Sequence, residues 1–435
     1  MFASVTALAW VSAPILSPPT APVTAYVNAT IYPISGPRLE RATLVIEGNK
    51  IVAVGADVAV PSGATTVDAS GTVILPGLVD THSHVGDGNG ADSSGPIQPD
   101  ARIYDAINVR SPEFRRALAG GITTLNIMPG SGHLMSGQTL YAKNRRARTV
   151  EDLFIRDTDG WIFGGLKMAN GTNPIGDPPF PGTRGKAMAL VRERFLEAQE
   201  YAEKWKAYEA KRAKGEKVDA PSRNIGLDAM AEALSGRRIV QHHTHRADDI
   251  LSVLRLRDEF GLKVVLQHVS EGHLVAREIA RANAPCSIIV LDSPGGKLEA
   301  VNVSRTCGGI LERAGVNVAL HTDDGITDSR LFLRTGAMAV RGGMSRDGAL
   351  RALTLSGAEM LGLEKRIGSL EPGKDADFVM LSGDPFATKT RVLKTFVEGQ
   401  MVFDFARPDD RLYAVGGPGA GTETRPYLCC QGGQH

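Results

Sequence analysis

From Thr72 to His321 the sequence repeats one pattern: a short apolar run, a polar residue at its end, then residues at helical spacing. The runs are Thr72–Val79, Gly121–Met128, Gln138–Lys143 (the weakest), Gly160–Met168, Ile239–His243, Lys263–His268, Cys286–Leu291 and Val316–His321. Strands that alternate with helices pair in parallel and are covered by those helices. Eight of them make a (β/α)8 barrel, an α/β fold. Ser111–Ala119 is expected as a helix capped by Ser111 with Pro112 in its first turn, and another is expected from about Asp248 to Phe260. Lys186–Lys214 sets Leu190, Phe195, Ala198, Ala202, Trp205 and Tyr208 at helical spacing among charges, which predicts a packed surface helix roofing the loop after strand four.

The flanks differ in character. Ala25–Ile31, Thr43–Glu47, Lys50–Val54 and Thr65–Asp68 are strand-like and punctuated by turn residues, and Ile367–Leu381 and Lys394–Phe403 match them. Both chain ends are therefore expected to build one small β-sandwich domain (25–73 and 365–405) beside the barrel (74–364), with a leader (1–24) and a C-terminal tail (406–435). Phe2–Leu16 is apolar and Val23-Thr24-Ala25 resembles a cleavage site, but no Lys or Arg precedes Arg38. A periplasmic or secreted location is slightly favoured. No run is long and apolar enough to span a bilayer. With 49 basic and 48 acidic residues, the chain has no electrostatic footprint for nucleic acid. Cys286, Cys307, Cys429 and Cys430 are too few for a disulfide scaffold and lack zinc-ligand spacing.

Active sites of such barrels sit at the carboxyl ends of the strands. There stand His82 and His84 after strand one, Lys167 after four, His243 after five, His268 after six and Asp323 after eight. Residues i and i+2 of a strand share a side, so His82 and His84 converge on one point. Imidazole nitrogens bind zinc at ~2.0–2.1 Å, and such a pair is half a metal site. The plain alternatives are two solvated histidines and, for Lys167, an ammonium reaching solvent. On strand five, alternation turns His242 away and leaves His243 and His245 on the metal-facing side. His243 is favoured as the ligand because it lies nearer the strand, and His245 is left for substrate or a supporting contact.

Several motifs occur together and in order: Pro76-Gly77-Leu78-Val79-Asp80-Thr81-His82-Ser83-His84, Ala119-Gly120-Gly121-Ile122-Thr123-Thr124, Gly165-Leu166-Lys167-Met168, His243-Thr244-His245-Arg246-Ala247-Asp248-Asp249-Ile250, Leu266-Gln267-His268, Leu320-His321-Thr322-Asp323 and Ile367-Gly368-Ser369-Leu370 through Asp377-Phe378. Over residues 25–405 the chain resembles the amidohydrolase superfamily, in its imidazolonepropionase-like branch of metal-dependent hydrolases. The resemblance implies two divalent metal ions, zinc by ligand type, with His82, His84 and Asp323 on one and His243 and His268 on the other. It also implies that Lys167 is carboxylated by CO2 and bridges them. Asp323, with His268 and His245, would form the catalytic group, and Asp323 would take a proton from a metal-activated water and return it to the leaving nitrogen.

The implied activity is hydrolysis of a C–N bond in a small amide, cyclic amide or peptide-like substrate by a homo-oligomer, without nucleic-acid or membrane partners. A dipeptidase or N-acyl-amino-acid hydrolase is the alternative, and a non-catalytic barrel scaffold the reading outside enzymes. Heterocycle deamination is disfavoured because strand five lacks a His-x-x-Glu. His133, a departure from the family's usual small or amide residue, and Arg246 are the substrate-contact candidates, with Asn170, Asn173 and Arg184 weaker ones. Asp324 is expected as a satisfied loop carboxylate.

Overall fold

A computed structural model describes residues 21–86, 88, 92, 94–290, 297–417 and 419–420. The leader up to residue 20 and the Cys429-Cys430 pair lie outside the described residues. Val23-Thr24-Ala25, considered above as a cleavage site, opens the first strand.

The chain is mixed α/β and both its ends meet in one sheet. The strands β1 (Val23–Ile31), β2 (Leu39–Glu47), β3 (Lys50–Gly55), β4 (Thr65–Asp68) and β5 (Val73–Pro76) come from the N-terminal side. Later strands in that sheet are β15 (Phe378–Leu381), β16 (Val392–Val397) and β17 (Gln400–Asp404). Their order is β17-β16-β15-β5-β1-β2-β3, with β4 on β1. Side-chain alternation separates two apolar faces. Ile74, Phe378 and Met380 join Tyr26, Ile31 and Leu44, and Phe378 stacks on Phe396 at 4.2 Å. Leu75, Val379 and Leu381 face the other way and pack on Leu118 and Ala119 of helix α1 (Pro112–Ala119).

The inner strands form two ladders. One is β6 (Leu78–Ser83), β7 (Ile122–Ile127) and β9 (Leu140–Lys143), in that order. The other runs β14-β13-β12-β11-β10-β8 and comprises β8 (Met135–Gln138), β10 (Leu166–Ala169), β11 (Val240–Thr244), β12 (Val264–His268), β13 (Cys286–Ile288) and β14 (Val318–Leu320). Parallel pairing of β10 through β14 agrees with the strand–helix alternation.

Three expectations need correction. The apolar run Thr72–Val79 is two strands, not one, because Gly77 carries the chain from the outer sheet into the inner one. A Cβ there would stand 2.0 Å from Thr123 Oγ1 of β7, so only glycine lets this joint lie so close to β7. The third strand is also two, β8 and β9, on either side of Thr139, and each is antiparallel to its neighbour. Thirdly, the C-terminal segment is not all tail: Pro408–Val415 is a helix whose buried Asp410 accepts from Arg115 of α1 at 3.2 Å.

Helix α2 (Arg184–Ala213) matches the charged segment, capped by Thr183. Its buried stripe is Ala187, Met188, Val191, Phe195, Ala198 and Tyr201, so the apolar residues after Tyr201 stay partly exposed. It leans on other helices: Tyr201 donates to Asp228 of α3 (Ile225–Leu234) and Phe195 meets Phe260 of α4 (Ala247–Phe260).

Candidate metal centre

Strand β6 is buried along its whole length and delivers His82 at its end and His84 just beyond. Both Nε2 atoms face Asp323 Oδ1, at 3.4 Å and 3.1 Å. Asp323 follows β14, and its backbone N–H donates to the His82 carbonyl at 2.9 Å, so one strand end fixes all three residues. Asp323 and His268 hold φ of 49° and 71°, a left-handed conformation that costs free energy outside glycine and collects at functional sites.

The far side of each ring sets its tautomer. His82 Nδ1 lies 3.2 Å from Gln267 Oε1, and Gln267 Nε2 donates to Gln241 Oε1, which in turn belongs to the residue donating to Tyr141 OH. With the amide nitrogens committed, Oε1 is an acceptor, His82 is protonated at Nδ1, and its Nε2 turns a lone pair toward Lys167 and Asp323. His84 Nδ1 donates likewise to the Met128 carbonyl at 2.8 Å. His268 Nδ1 meets His321 Nε2 at 3.1 Å, and His321 Nδ1 meets Ser287 Oγ at 2.7 Å. Burial drives the pKa of His82 and His268 well below the ordinary imidazole value, and that of His321 down to about 3. All three are neutral at pH 7, the form that binds metal.

Lys167 is fully buried as the second residue of β10, with Nζ 3.3 Å from His82 Nε2. Burial lowers its pKa to about 7. Burial favours a neutral Asp323 carboxyl, but His82 and His84 outweigh it and hold the group well below the usual carboxylate range.

His243 and His245 share a side, as alternation requires, while His242 turns to the backbone of His243. His245 Nδ1 meets Ser270 Oγ at 2.7 Å. The Nε2 atoms of His243 and His245 face Glu299 Oε1 at 3.5 Å and 4.0 Å. Glu299 carries no signal in the sequence, because it sits in a short 3-10 turn without periodicity. His321 belongs to a quoted motif, but its contact to His268 required the register of β13 and β14.

Among the described residues, three groups of donors have their atoms within 4.8 Å of one another: His82, His84 and Asp323; His243, His245 and His268; and His82, His268 and His321. Among the described residues, His243 Nδ1 and Nε2, His245 Nε2, His268 Nε2 and Glu299 Oε1 are buried and find no hydrogen-bond partner. Unpaired buried polar atoms are costly, and a cation satisfies lone pairs that face one another. Imidazole and carboxylate donors suit zinc and similar divalent ions.

The remaining expected residues are engaged elsewhere. Arg246 is exposed and pairs with Asp248 at 2.9 Å, and Arg184 holds Asp249 at 3.0 Å. His133 Nε2 bonds the Asp92 carbonyl at 2.7 Å and its ring meets Phe180 edge-on. Asn170 donates to the Asp249 carbonyl, and Asn173 accepts from Lys297 at 3.0 Å. Asp324 is buried, 3.8 Å from Arg116, and burial raises its pKa to about 6.

The model of the amidohydrolase family matches residues 73–402. Among solved structures, an amidohydrolase from Thermotoga maritima MSB8 is 31% identical, covers 88% of this chain and all of its own, and superposes with a TM-score of 0.80. The amidohydrolase tasK of Hapsidospora irregularis is 25% identical over 79% of this chain, which spans only 38% of that protein's length. A 5-methylthioadenosine/S-adenosylhomocysteine deaminase of Symbiobacterium thermophilum is 23% identical, over 87% of this chain and 92% of its own. An imidazolonepropionase of Thermoplasma volcanium is 24% identical, over 84% and 91%.

Proposed function

Because the chain belongs to the amidohydrolase family, we propose that it is a binuclear metal-dependent hydrolase of a C–N bond in a small amide, cyclic amide or peptide-like substrate. The observation that carries this reading is the meeting of His82, His84 and Asp323 with the buried Lys167 of β10. The reading treats the two inner ladders as one (β/α)8 barrel (74–364), and the outer sheet as a β-sandwich domain (25–73 and 365–405). Two features support it: Thr139 alone separates β8 from β9, and Asp323 bonds back to β6.

In this assignment His82, His84 and Asp323 hold one ion, His243 and His268 the second, and Lys167 bridges them as a carbamate. Only an unprotonated amine adds CO2, and a Lys167 pKa of about 7 keeps much of it unprotonated near neutrality. Two divalent ions, zinc by donor type, lower the pKa of water toward ~7 and polarise a carbonyl. Asp323, a fifth exposed, takes the proton on a carboxylate oxygen and passes it to the departing nitrogen. Gln267 and Gln241 hold the His82 tautomer, and His321 orients His268.

A narrower reading, toward N-acyl amino acids or dipeptides, needs a cation for the substrate carboxylate. Arg184 and Arg246 are taken by aspartates. Lys297, partly exposed and 3.2 Å from Glu299 Oε1, is a cation on the Glu299 side of the His243 and His245 rings. The test is a turnover screen of zinc-loaded protein on N-acyl amino acids, dipeptides and cyclic amides, with aminopurine nucleosides added because of the deaminase relatives. Elemental analysis on the same sample should return two ions per chain. No turnover and no bound metal would refute the reading in favour of a non-catalytic scaffold.

A further inference from the structure

We propose that Glu299 is a metal ligand from the loop after strand seven, and that with His243 and His245 it holds the second ion of the centre. This rests on the binuclear reading above and adds two donors to it.

The side chain of Glu299 is 2% exposed. One oxygen is anchored: Oε2 accepts the Thr172 backbone N–H at 2.8 Å, which aims the other inward. That other oxygen, Oε1, faces His243 Nε2 at 3.5 Å and His245 Nε2 at 4.0 Å, and none of these three atoms has a hydrogen-bond partner among the described residues. Ser270 engages the His245 Nδ1, so the tautomer that presents an Nε2 lone pair toward Glu299 is the one with the proton on Nδ1. Lys297 Nζ lies 3.2 Å from Oε1 without hydrogen-bond geometry, and it is 42% exposed. A half-solvated ammonium at the rim therefore does not fill the interior volume between the carboxylate and the two rings.

Two imidazole nitrogens and one carboxylate oxygen aimed at a common volume, without hydrogen-bond partners among the described residues, make a donor set that a cation would satisfy. The separations of 3.5–4.0 Å are too long for firm hydrogen bonds. They match what two donors show across one ion, since each would stand ~2.0–2.2 Å from zinc. His268 closes the set, with its atoms in the same group as those of His243 and His245 and its Nε2 unpaired. On this assignment both strand-five histidines bind metal.

The experiment is zinc titration of the full chain against a chromophoric chelator, with elemental analysis and the absorption spectrum of the cobalt(II) form. Wild type should hold two ions. Glu299→Gln, nearly the same shape without the charge, should hold one at free zinc that fills wild type, its second site loosened at least ~10–100-fold, the loss typical of even indirect partners of a metal. Glu299→Asp, which keeps the charge on a shorter arm, should lie between the two and change the cobalt spectrum. Melting curves in chelator check that each variant is folded. Full occupancy and an unchanged cobalt spectrum in both variants would overturn the proposal. Wild type with fewer than two ions would instead sink the binuclear reading itself.

Discussion

The joint between the outer sheet and the inner strands offers the sharpest test. Lys143, at the end of β9, is 1% exposed and donates to Asp375 at 2.7 Å and Asp377 at 2.6 Å, themselves 1% and 2% exposed. Lys143→Met keeps the stem and removes the charge. Asp375 retains Lys50 at 2.8 Å and Arg366 at 3.3 Å, whereas among the described residues Asp377 keeps the Glu398 backbone N–H alone. Burial already raises the Asp377 pKa despite Lys143, so without it the carboxyl must take a proton to stay folded. Relative to an unfolded aspartate near 3.9, protonation costs about 1.4 kcal/mol per pH unit, hence about 4 kcal/mol at pH 7 and about 1.5 kcal/mol at pH 5. That agrees with the ~3–5 kcal/mol seen when one member of a buried pair is removed.

The sign follows from linkage: a native state that binds the extra proton loses stability as pH rises. The deficit of Lys143→Met against wild type should therefore shrink from pH 8 to pH 5, measured by urea unfolding at each pH. Adding Asp377→Asn should restore most of the loss and remove its pH dependence. A deficit below about 1 kcal/mol at pH 7, or one that does not shrink on acidification, refutes the argument.

Asp323→Asn should fold, keep most of its metal and lose turnover by ~10²–10⁴-fold or more, measured with metal content in hand. Near-normal turnover at full occupancy would remove the proton-transfer role. Lys167→Ala should lose metal and activity, and short carboxylic acids at high concentration should restore part of both, read by elemental analysis and initial rates. An unchanged variant would make Lys167 an ordinary buried amine. Gly77→Ala would drive a Cβ into Thr123, a buried side chain, and should cost ~1–3 kcal/mol by urea unfolding while weakening zinc binding through displaced β6. Wild-type stability would show that the Thr123 side chain gives way to the added methyl and that the joint does not require glycine.

Much of the centre was legible because its residues obey a local rule. His82, His84, His243 and His268 sit where a strand ends, and the two-residue period alone decides which rings share a side, whereas Lys167 is the second residue of a strand that starts later than expected. What escaped depends on contacts between distant segments. Glu299 reaches His243 from a turn with no periodicity, and His321 is defined by its partner His268, 53 positions away. Arg246 looked available as a free cation, but Asp248 two residues on takes it. The split of Thr72–Val79 was hidden because both halves are equally apolar, and only the approach of Thr123 requires the break at Gly77. Antiparallel β8 and β9 were missed for a related reason: composition does not encode direction.

The outer sheet also imposes an order on synthesis. Every proposed ligand has left the ribosome once Asp323 has, yet β15, which pairs with β5 along its length, begins about 50 residues later. At ~5–20 residues per second that is about 3–10 s during which β5 has an open edge and Lys143 lacks both its aspartates. The histidines of β6 hang from that same β5 across Gly77. A nascent chain thus owns its full set of metal donors before it can hold them in place, and a ribosome stalled between Asp323 and Phe378 would present a chain that binds zinc loosely and is open to proteolysis at the seam.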